Sequence, residues 1–384
     1  MEKELIKKIA ENYETPTYVF DIKTLKDRIK YLRDSLPGKV KLCYAIKANT
    51  FIVKDIENDV DRFEVCSNGE YEICHEKEVV SNKILISGIN KDSKLINKII
   101  GESDIRMFSI ESMSQFESLK NQKENVKIII RITSGNQFGI NEDECKEIIM
   151  NRADYPHIEI VGVQYFTGTQ KNSMKVLKKE LEYMDNLIEK IENDCNFKIK
   201  ELEFGTGFPV HYFSNESFDE DTFMKEFSDL LNNLRFNGDV ILEIGRSIAA
   251  SSGMYLTKVV DKKINKDERF AIVDGGINHL VYYGQFMAMK VPHMEIYPER
   301  ANENPDVWNI CGSLCTINDI LVKKLEVSNL QVGDILVFKN TGAYSMTEGI
   351  SLFLSRDLPQ VLINDENNNI RVARKITPTY NFNM

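Results

Sequence analysis

The feature that most constrains the fold is a recurrence of short β-branched, apolar runs, each ending in polar or glycine residues and followed by a segment with helical spacing. The eight runs are Val40–Ala45, Phe63–Ser67, Ile84–Gly88, Ile105–Ile110, Val126–Thr133, Ile158–Phe166, Ile199–Gly205 and Val240–Gly245. Eight alternations of strand and helix over about 220 residues match the size of a (β/α)₈ barrel. The sequence therefore predicts an α/β fold built on a (β/α)₈ TIM barrel.

The helical candidates between the runs have apolar residues at three- and four-residue steps. They include Asp92–Ile100, Ser112–Lys120, Glu142–Met150, Ser173–Glu192 and Asp219–Leu234. After Gly253, strand-like runs follow one another without long helices, which indicates a separate β domain. These runs are Met254–Val260, Phe270–Val273, Ile335–Lys339, Gln360–Ile363 and Ile370–Arg374. Because the strand-like segment Thr17–Phe20 lies too early for the barrel, we assign it to the β domain. The predicted domains are a barrel over 26–253 and a discontinuous β domain over 1–25 and 254–384.

Charge and composition exclude several classes of protein. The 49 Lys and Arg against 59 Asp and Glu give a net charge of −10, which argues against a nucleic-acid partner. No run of about 18 apolar residues is present and the first residues resemble no signal peptide, so we expect no membrane association and a cytoplasmic location. The seven cysteines are odd in number and the histidines show no ligand spacing, so we expect reduced thiols and no metal site.

Lys47 ends the first run, within Tyr44-Ala45-Ile46-Lys47-Ala48-Asn49. Apolar neighbours at a strand end can desolvate an amine and lower its pKa, which favours covalent chemistry with a carbonyl group. This stretch is the Y-A-x-K-A-N motif, and from about Thr15 to Pro359 the chain resembles the fold-type III pyridoxal-phosphate decarboxylases. That family includes the ornithine, diaminopimelate and arginine decarboxylases and has an alanine-racemase-like barrel. The resemblance implies an amino-acid carboxy-lyase, with pyridoxal 5'-phosphate (PLP) bound to Lys47.

Further motifs assign cofactor-binding residues by the same resemblance. Glu203-Phe-Gly205-Thr206-Gly207-Phe-Pro209 resembles the phosphate-binding D-x-G-G-G-F-P turn. Glu243-Ile-Gly245-Arg246 resembles E-P-G-R, whose carboxylate faces the pyridine nitrogen and whose glycine and arginine reach the phosphate. The remaining cofactor residues implied are Glu64 beside Lys47, Phe166 in the place of the usual stacking histidine, Gly168 and Thr169 at the phosphate, and Tyr344 of a G-A-Y motif.

Cys315 falls on the family's C-[ED]-x-x-D motif, which ends here at Asp319. In this family the cysteine belongs to the partner subunit and returns a proton to the α-carbon. A thiol suits that task because its pKa is close enough to neutral for it to give up and regain a proton. The resemblance therefore implies a homodimer with shared active sites, in which Lys47, Glu243 and Cys315 are the catalytic residues.

The substrate end departs from the family. Diaminopimelate decarboxylases carry R-P-x-L-Y after the D-x-G motif, where this chain has Asn278-His279-Leu280-Val-Tyr282, and their acid after the cysteine is Thr316 here. Because a distal charge without a partner is costly to desolvate, these changes weaken a free diamino-acid substrate. The candidate substrate residues are Tyr283, Thr316 and Asp319.

Several short stretches instead resemble a branch of secondary metabolism that decarboxylates L-glutamate attached to an acyl carrier protein, as in butirosin assembly. They are Phe166–Gln170, Tyr283–Phe286, Leu314–Thr316 and Phe353–Pro359. An acidic carrier protein would favour a basic rim, for which the candidates are Lys258, Lys262, Lys263 and Lys290. The alternatives are a diaminopimelate decarboxylase of lysine biosynthesis, an ornithine-type decarboxylase, a PLP racemase and a non-catalytic homologue. Because racemases place an arginine against the ring nitrogen, Glu243 favours decarboxylation.

Overall fold

The structure is a computed structural model that describes residues 2–300 and 303–384. The chain divides into two compact units. The barrel unit consists of Arg28–Pro209 and Asp219–Ile248, and the sheet unit consists of the described residues of Met1–Asp27, Val210–Phe218 and Ala249–Met384. Within the range predicted for the barrel, Val210–Phe218 groups with the sheet unit.

The barrel unit contains a closed barrel of eight strands within its described residues. The first strand of the chain, β1 (Thr17–Asp21), belongs to the other unit. The barrel strands are β2 (Lys41–Ala45), β3 (Arg62–Val65), β4 (Ile84–Ile86), β5 (Met107–Ile110), β6 (Val126–Ile132), β7 (Ile158–Tyr165), β8 (Glu201–Gly205) and β9 (Asp239–Ile244). Neighbouring strands are parallel, and β9 closes the barrel against β2. All eight predicted runs are thus confirmed as barrel strands.

Helices follow most of the barrel strands, and a helix precedes β1 in the sheet unit. Those in the described residues are α1 (Glu2–Asn12), α2 (Ile22–Ser35), α3 (Asn68–Glu76), α4 (Ser93–Glu102), α5 (Met113–Lys120), α6 (Glu142–Met150), α7 (Met174–Cys195), α8 (Glu220–Asn232) and α9 (Arg246–Ala249). Side chains of Asp92, Ser112 and Asp219 accept hydrogen bonds from backbone N–H groups of the first turns of α4, α5 and α8, which fixes where these helices begin. No helix among the described residues is long and apolar enough to cross a bilayer.

The sheet unit contains nine strands within its described residues. After β1 they are β10 (Gly253–Asn265), β11 (Glu268–Val273), β12 (Met294–Tyr297), β13 (Asp306–Cys311), β14 (Ile320–Val327), β15 (Ile335–Phe338), β16 (Gln360–Asn364) and β17 (Ile370–Arg374). The main path is β14-β13-β11-β10-β1-β16-β17, and β15 pairs with both β10 and β12. Because β1 pairs with β10 and β16, the assignment of Thr17–Phe20 to the β domain is confirmed.

The sequence reading missed three strands of this unit, β12, β13 and β14. In β13, residues alternate between buried and more exposed, as in Trp308 and Asn309, and in β14 two buried residues are followed by the charged pair Lys323 and Lys324 on a more exposed stretch. Half-buried antiparallel strands show this alternation, whereas barrel strands are buried on both faces and show continuous apolar runs. A search for continuous runs therefore finds the barrel strands and passes over these two.

Candidate active site

Lys47 lies in a single 3₁₀ turn, Ile46–Ala48, directly after β2, at the carboxyl end of the barrel strands. Its Nζ donates a hydrogen bond to Glu64 Oε2 over 2.8 Å, and Glu243 Oε1 lies 3.8 Å away. A third neighbour is Cys66 Sγ, at 3.6 Å. The amine predicted to bind the cofactor thus lies between the two carboxyl groups that the motifs also singled out.

Glu64 is a buried carboxylate on β3, with its side chain 1% exposed. Burial would raise its pKa, but the charge and hydrogen bond of Lys47 outweigh burial and lower the pKa to about 2. The charge of Arg131 acts in the same direction, and Arg131 is itself held by Glu111 over 3.0 Å. Glu64 is therefore ionised at neutral pH and keeps Lys47 oriented.

Glu243, near the end of β9, behaves in the opposite way. Burial is the largest cause, the negative charge of Glu64 is the next, and together they raise the pKa of Glu243 to about 8. Lys47 acts against this rise without cancelling it. Two neighbouring carboxyl groups with pKa values pushed apart are typical of sites that handle protons.

Three further residues surround Glu243: Arg62 and Gln164, which were not singled out from the sequence, and Glu203, which was assigned only to the phosphate-binding turn motif. Arg62 Nη1 donates to Glu203 Oε2 over 2.7 Å, and Gln164 Nε2 lies within hydrogen-bond distance of both Glu203 Oε1 (3.0 Å) and Glu243 Oε2 (3.2 Å). Burial raises the pKa of Glu203 to about 7 in spite of Arg62. The signal that could have found them is a polar side chain within a strand that is otherwise buried and apolar.

Two glycine-containing loops approach each other beside this cluster. Gly207 adopts φ +58°, and a Cβ there would lie 2.2 Å from the Gly168 carbonyl oxygen, so only glycine fits. A Cβ on Gly168 would face open space. Arg246 Nε donates to Thr169 Oγ1 over 3.3 Å, which brings the arginine that follows Gly245 against the same loop.

The turn after β8 is joined to the end of β9, because Thr206 N donates to the Glu243 carbonyl oxygen over 3.3 Å. Phe166 follows β7, and a Cβ on Gly205 would lie 2.2 Å from its ring, so the glycine makes room for the aromatic side chain. The ammonium of Lys171 lies 5.6 Å from the centre of the same ring and pairs with Glu180 over 2.7 Å.

The predicted residues Cys315, Thr316 and Asp319 lie in the sheet unit, in the loop between β13 and β14. Cys315 is exposed. The Asp319 carboxylate is buried and accepts backbone N–H groups of Ile277 over 2.8 Å and Leu314 over 2.7 Å. One carboxylate oxygen thus joins two parts of the loop, and the other joins the loop to the backbone at Ile277. This geometry supports a role for Asp319 in positioning the loop, and its contact with the substrate stays a prediction.

Tyr344 and Tyr283 also lie in the sheet unit. Tyr344 has φ +63° and begins a turn in which its carbonyl oxygen accepts the N–H groups of Thr347 and Glu348, while Tyr283 is 45% exposed. All seven cysteines are free thiols. In residues 2–300 and 303–384, no group of three or more His, Cys, Asp and Glu side chains is arranged to hold a metal ion.

The barrel residues fit a phosphorylated pyridine aldehyde. Gly207 lets its loop come into backbone contact with Gly168, and Arg246, held against the same loop through Thr169, would supply a cation for a phosphate there. Lys47 would supply the amine for the aldehyde, and Glu243 would supply a buried carboxyl group for the ring nitrogen. The observed donor set therefore matches PLP at its reactive carbon, ring nitrogen and phosphate.

Comparison with known proteins agrees with this match. The family model described as "Pyridoxal-dependent decarboxylase, pyridoxal binding domain" matches residues 22–250. Diaminopimelate decarboxylase of Aquifex aeolicus is 26% identical over 96% of this chain and 91% of its own length. The L-glutamyl-[BtrI acyl-carrier protein] decarboxylase of Niallia circulans is also 26% identical, over 96% and 93%.

Solved structures show the same fold. The crystal structure of diaminopimelate decarboxylase (I148L mutant) from Helicobacter pylori in complex with L-lysine has a TM-score of 0.85 at 22% identity and covers 98% of both chains. The fold is that of the alanine-racemase-like barrel with a separate sheet domain, as predicted. With its family model, its full-length relatives and its donor set in agreement, the chain belongs to the pyridoxal-dependent decarboxylases and is a carboxy-lyase that uses PLP.

Proposed function

We propose that this enzyme removes the α-carboxyl group of a free amino acid of the diaminopimelate type. The observation that carries the α-decarboxylation is the buried Glu243 carboxyl group, whose Oε1 lies 3.8 Å from Lys47 Nζ. An acidic group facing the ring nitrogen favours accumulation of electrons in the ring, which decarboxylation requires, whereas the arginine of racemases opposes it.

Each of the site residues of the barrel then has a definite role. Lys47 binds the cofactor covalently through its amine, and Glu64 holds that amine in place. The loops at Gly168 and Gly207 and the side chain of Arg246 hold the phosphate. The cofactor, when bound, withdraws electrons from the α-carbon, and Glu243 stabilises that withdrawal at the ring nitrogen. Cys315 of a second subunit returns a proton to the α-carbon.

Two observations support diaminopimelate as the first substrate to test. A relative that matches almost the whole length of this chain is named diaminopimelate decarboxylase. The second observation is Asn278, in the stretch that follows Asp274-Gly275-Gly276, where R-P-x-L-Y is not present in this chain. Its side-chain nitrogen and oxygen are buried and have no hydrogen-bond partner within the described residues. An unpaired buried amide costs about 1–3 kcal/mol, which a ligand can recover.

The chemistry of this amide suits the distal end of diaminopimelate. That end carries an ammonium and a carboxylate and is neutral as a whole. An asparagine offers two donors and one acceptor without a net charge, so Asn278 can pair with both groups. The family's arginine and acid are therefore not required for this substrate, because a neutral side chain needs no compensating charge of its own.

The experiment compares CO₂ release from meso-diaminopimelate, ornithine, lysine, arginine and L-glutamyl carrier protein. We expect the highest kcat/KM for meso-diaminopimelate. Asn278→Ala should raise KM for that substrate about tenfold, the loss of one or two hydrogen bonds, with a smaller change in kcat. The matched control is Asn309→Ala, which removes an exposed amide of the same unit. An unchanged KM in Asn278→Ala would remove Asn278 from the substrate site.

A carrier-bound substrate is the second candidate, because Thr316 replaces the family's acid and a relative acts on L-glutamyl carrier protein. The candidate basic rim gives it little support, since three of its lysines are engaged within the sheet unit. Lys262 donates to the Leu330 carbonyl oxygen, Lys263 lies 3.9 Å from Asp261, and Lys290 lies 3.3 Å from Glu216. Turnover of the glutamyl carrier protein alone, without turnover of any free amino acid, would favour this candidate over diaminopimelate.

We also propose a homodimer in which Cys315 acts in the partner's site. Cys315 is exposed and the neighbouring Ile317 is 89% exposed, so the thiol is accessible to a second chain. A second copy of the chain is the occupant that the family resemblance implies.

Mixing two inactive variants tests the shared site. We expect Lys47→Ala and Cys315→Ser to be nearly inactive separately, and to recover about a quarter of wild-type activity after subunit exchange, since half of the dimers then hold one intact site. CO₂ release measures the recovery. Mixing Lys47→Ala with Lys47→Arg is the control and should recover nothing. If exchange is shown by mass spectrometry and activity does not return, the site is complete within one chain.

A further inference from the structure

A line of polar side chains crosses the inside of the barrel from β3 to β9. Arg62 on β3 pairs with Glu203 on β8 over 2.7 Å, and Gln164 on β7 joins Glu203 to Glu243 over 3.0 and 3.2 Å. Gln164 and Glu203 stand directly opposite each other in the strand register. Glu203 and Gln164 are fully buried, and Glu243 is 7% exposed. Burying polar groups costs free energy of folding, and the hydrogen bonds among these side chains offset part of that cost.

The two oxygens of Glu243 face different groups. Oε1 lies 3.8 Å from Lys47 Nζ, whereas Oε2 accepts a hydrogen bond from Gln164. The hydrogen bond to Gln164 therefore holds one oxygen in place and fixes the direction of the other. The charged and titratable groups that act electrostatically on Glu243 or are acted on by it are Lys47, Glu64, Glu203, Arg131, Lys171, Cys43 and Cys66.

We propose that Gln164 and Glu203 are positioning residues which, anchored by Arg62, orient Glu243 and make it retain a proton for the ring nitrogen of PLP. The inference rests on the proposed pairing of Glu243 with that nitrogen. Gln164 supplies the orientation through its hydrogen bond to Oε2. Glu203 supplies a buried negative charge that disfavours a second carboxylate close by.

The proton balance of this arrangement closes without an outside donor. In the absence of the ring, Glu243 holds the proton as a neutral acid, since burial and then the neighbouring carboxylates raise its pKa to about 8. When the ring nitrogen faces it, the O–H bond of Glu243 breaks and an N–H bond forms. The resulting carboxylate keeps the hydrogen bond from Gln164, and no proton is exchanged with water.

The direction of the effect of Glu203 follows from its charge. Glu203 has a pKa of about 7, raised by burial against the opposing effect of Arg62, so it ionises as the pH rises through neutrality. Once ionised, it favours retention of the proton between Glu243 and the ring nitrogen. A neutral side chain at this position should therefore release that proton at a lower pH.

The test uses holoenzyme loaded with PLP labelled with ¹⁵N in the ring, and follows the ¹⁵N chemical shift of the ring nitrogen with pH. We expect Glu203→Gln to lower the midpoint of deprotonation by about one pH unit, a tenfold change in proton affinity. The matched control is Glu201→Gln. Glu201 pairs with the same arginine over 2.9 Å on the same strand, and its hydrogen bond is to Arg62 and not to Gln164. Glu201→Gln should lower the midpoint of deprotonation by less than about a third of the shift expected for Glu203→Gln.

A second variant, Gln164→Met, keeps the volume of the side chain and changes no charge. We expect its ring nitrogen to be partly deprotonated at pH 7, because Glu243 loses the hydrogen bond that stabilises its carboxylate form. Midpoints equal to wild type in both variants would overturn the inference. A wild-type ring nitrogen that is neutral throughout would instead overturn the proposed pairing of Glu243. Thermal denaturation of each holoenzyme identifies any effect that comes from loss of the fold.

Discussion

Lys47→Ala should abolish the visible absorbance of the bound cofactor and lower kcat by about 10³-fold or more, because the substitution removes the amine that forms the covalent bond to the cofactor. Lys47 is held by Glu64 over 2.8 Å at the end of β2, so its amine is already directed into the site. Absorbance spectra and single-turnover CO₂ release measure the two effects.

The control for this substitution is Lys47→Arg. It preserves a positive charge between Glu64 and Glu243 and thereby the electrostatic balance of the site, but a guanidinium cannot form the same bond. Both variants should therefore lose the absorbance, while Lys47→Arg should retain more of the wild-type thermal stability. A spectrum that is unchanged in Lys47→Ala would contradict the assignment of the cofactor lysine.

Glu243→Gln should lower kcat by about 10²–10³-fold, the range for removing one preorganised electrostatic contact. The amide has nearly the volume of the carboxyl group, so packing is preserved. It can offer the ring nitrogen only a neutral hydrogen bond, and the nitrogen then loses the negative charge that stabilises its protonated form. Steady-state kinetics of CO₂ release checks the result, and KM should change much less than kcat.

The control here is Glu159→Gln, which removes a partly exposed carboxylate from β7. Its kcat should match that of wild type. Should Glu243→Gln retain wild-type kcat, the electron-withdrawing role of this carboxyl group would have to be abandoned, and the proposal for Gln164 and Glu203 would lose its basis.

The barrel could be predicted from the sequence because its strands are buried on both faces, and continuous apolar runs such as Ile128–Ile130 identify such strands directly. The starts of α4 and α5 could also be predicted, since Asp92 and Ser112 are capping residues at their first turns. The cofactor residues followed from motifs around Lys47, Gly205 and Glu243 that resemble one family.

The charged residues inside the barrel could be predicted only by asking which face of its strand each residue occupies. Arg62 and Glu64 are two residues apart on β3 and therefore share a face, as do Glu201 and Glu203 on β8. The family motifs mark Glu64 as functional and do not include Arg62. The alternation of side chains between the two faces of a strand places the two residues of each pair on one face, and from it a charged barrel interior could have been predicted.

The role of Asp319 could not be predicted for a different reason. Its position in the C-[ED]-x-x-D motif is compatible with a substrate contact and with a structural role. The structural role depends on whether backbone N–H groups reach the carboxylate, and Ile277, which supplies one of them, is more than 40 residues away in the sequence. Contacts of that kind follow from tertiary structure and leave no local pattern.

The pairing of β1 with β16 has a consequence for synthesis of the chain on the ribosome. Thr17 pairs with Gln360, so β1 leaves the ribosome more than 300 residues before one of its two partner strands has been made. The barrel strands have all emerged by Ile244 and can close on one another earlier. During this interval the apolar residues of β1, such as Val19 and Phe20, have no completed sheet to enter. Chaperones that bind nascent chains should therefore act most on this enzyme at β1, during the interval between completion of β9 and synthesis of β16.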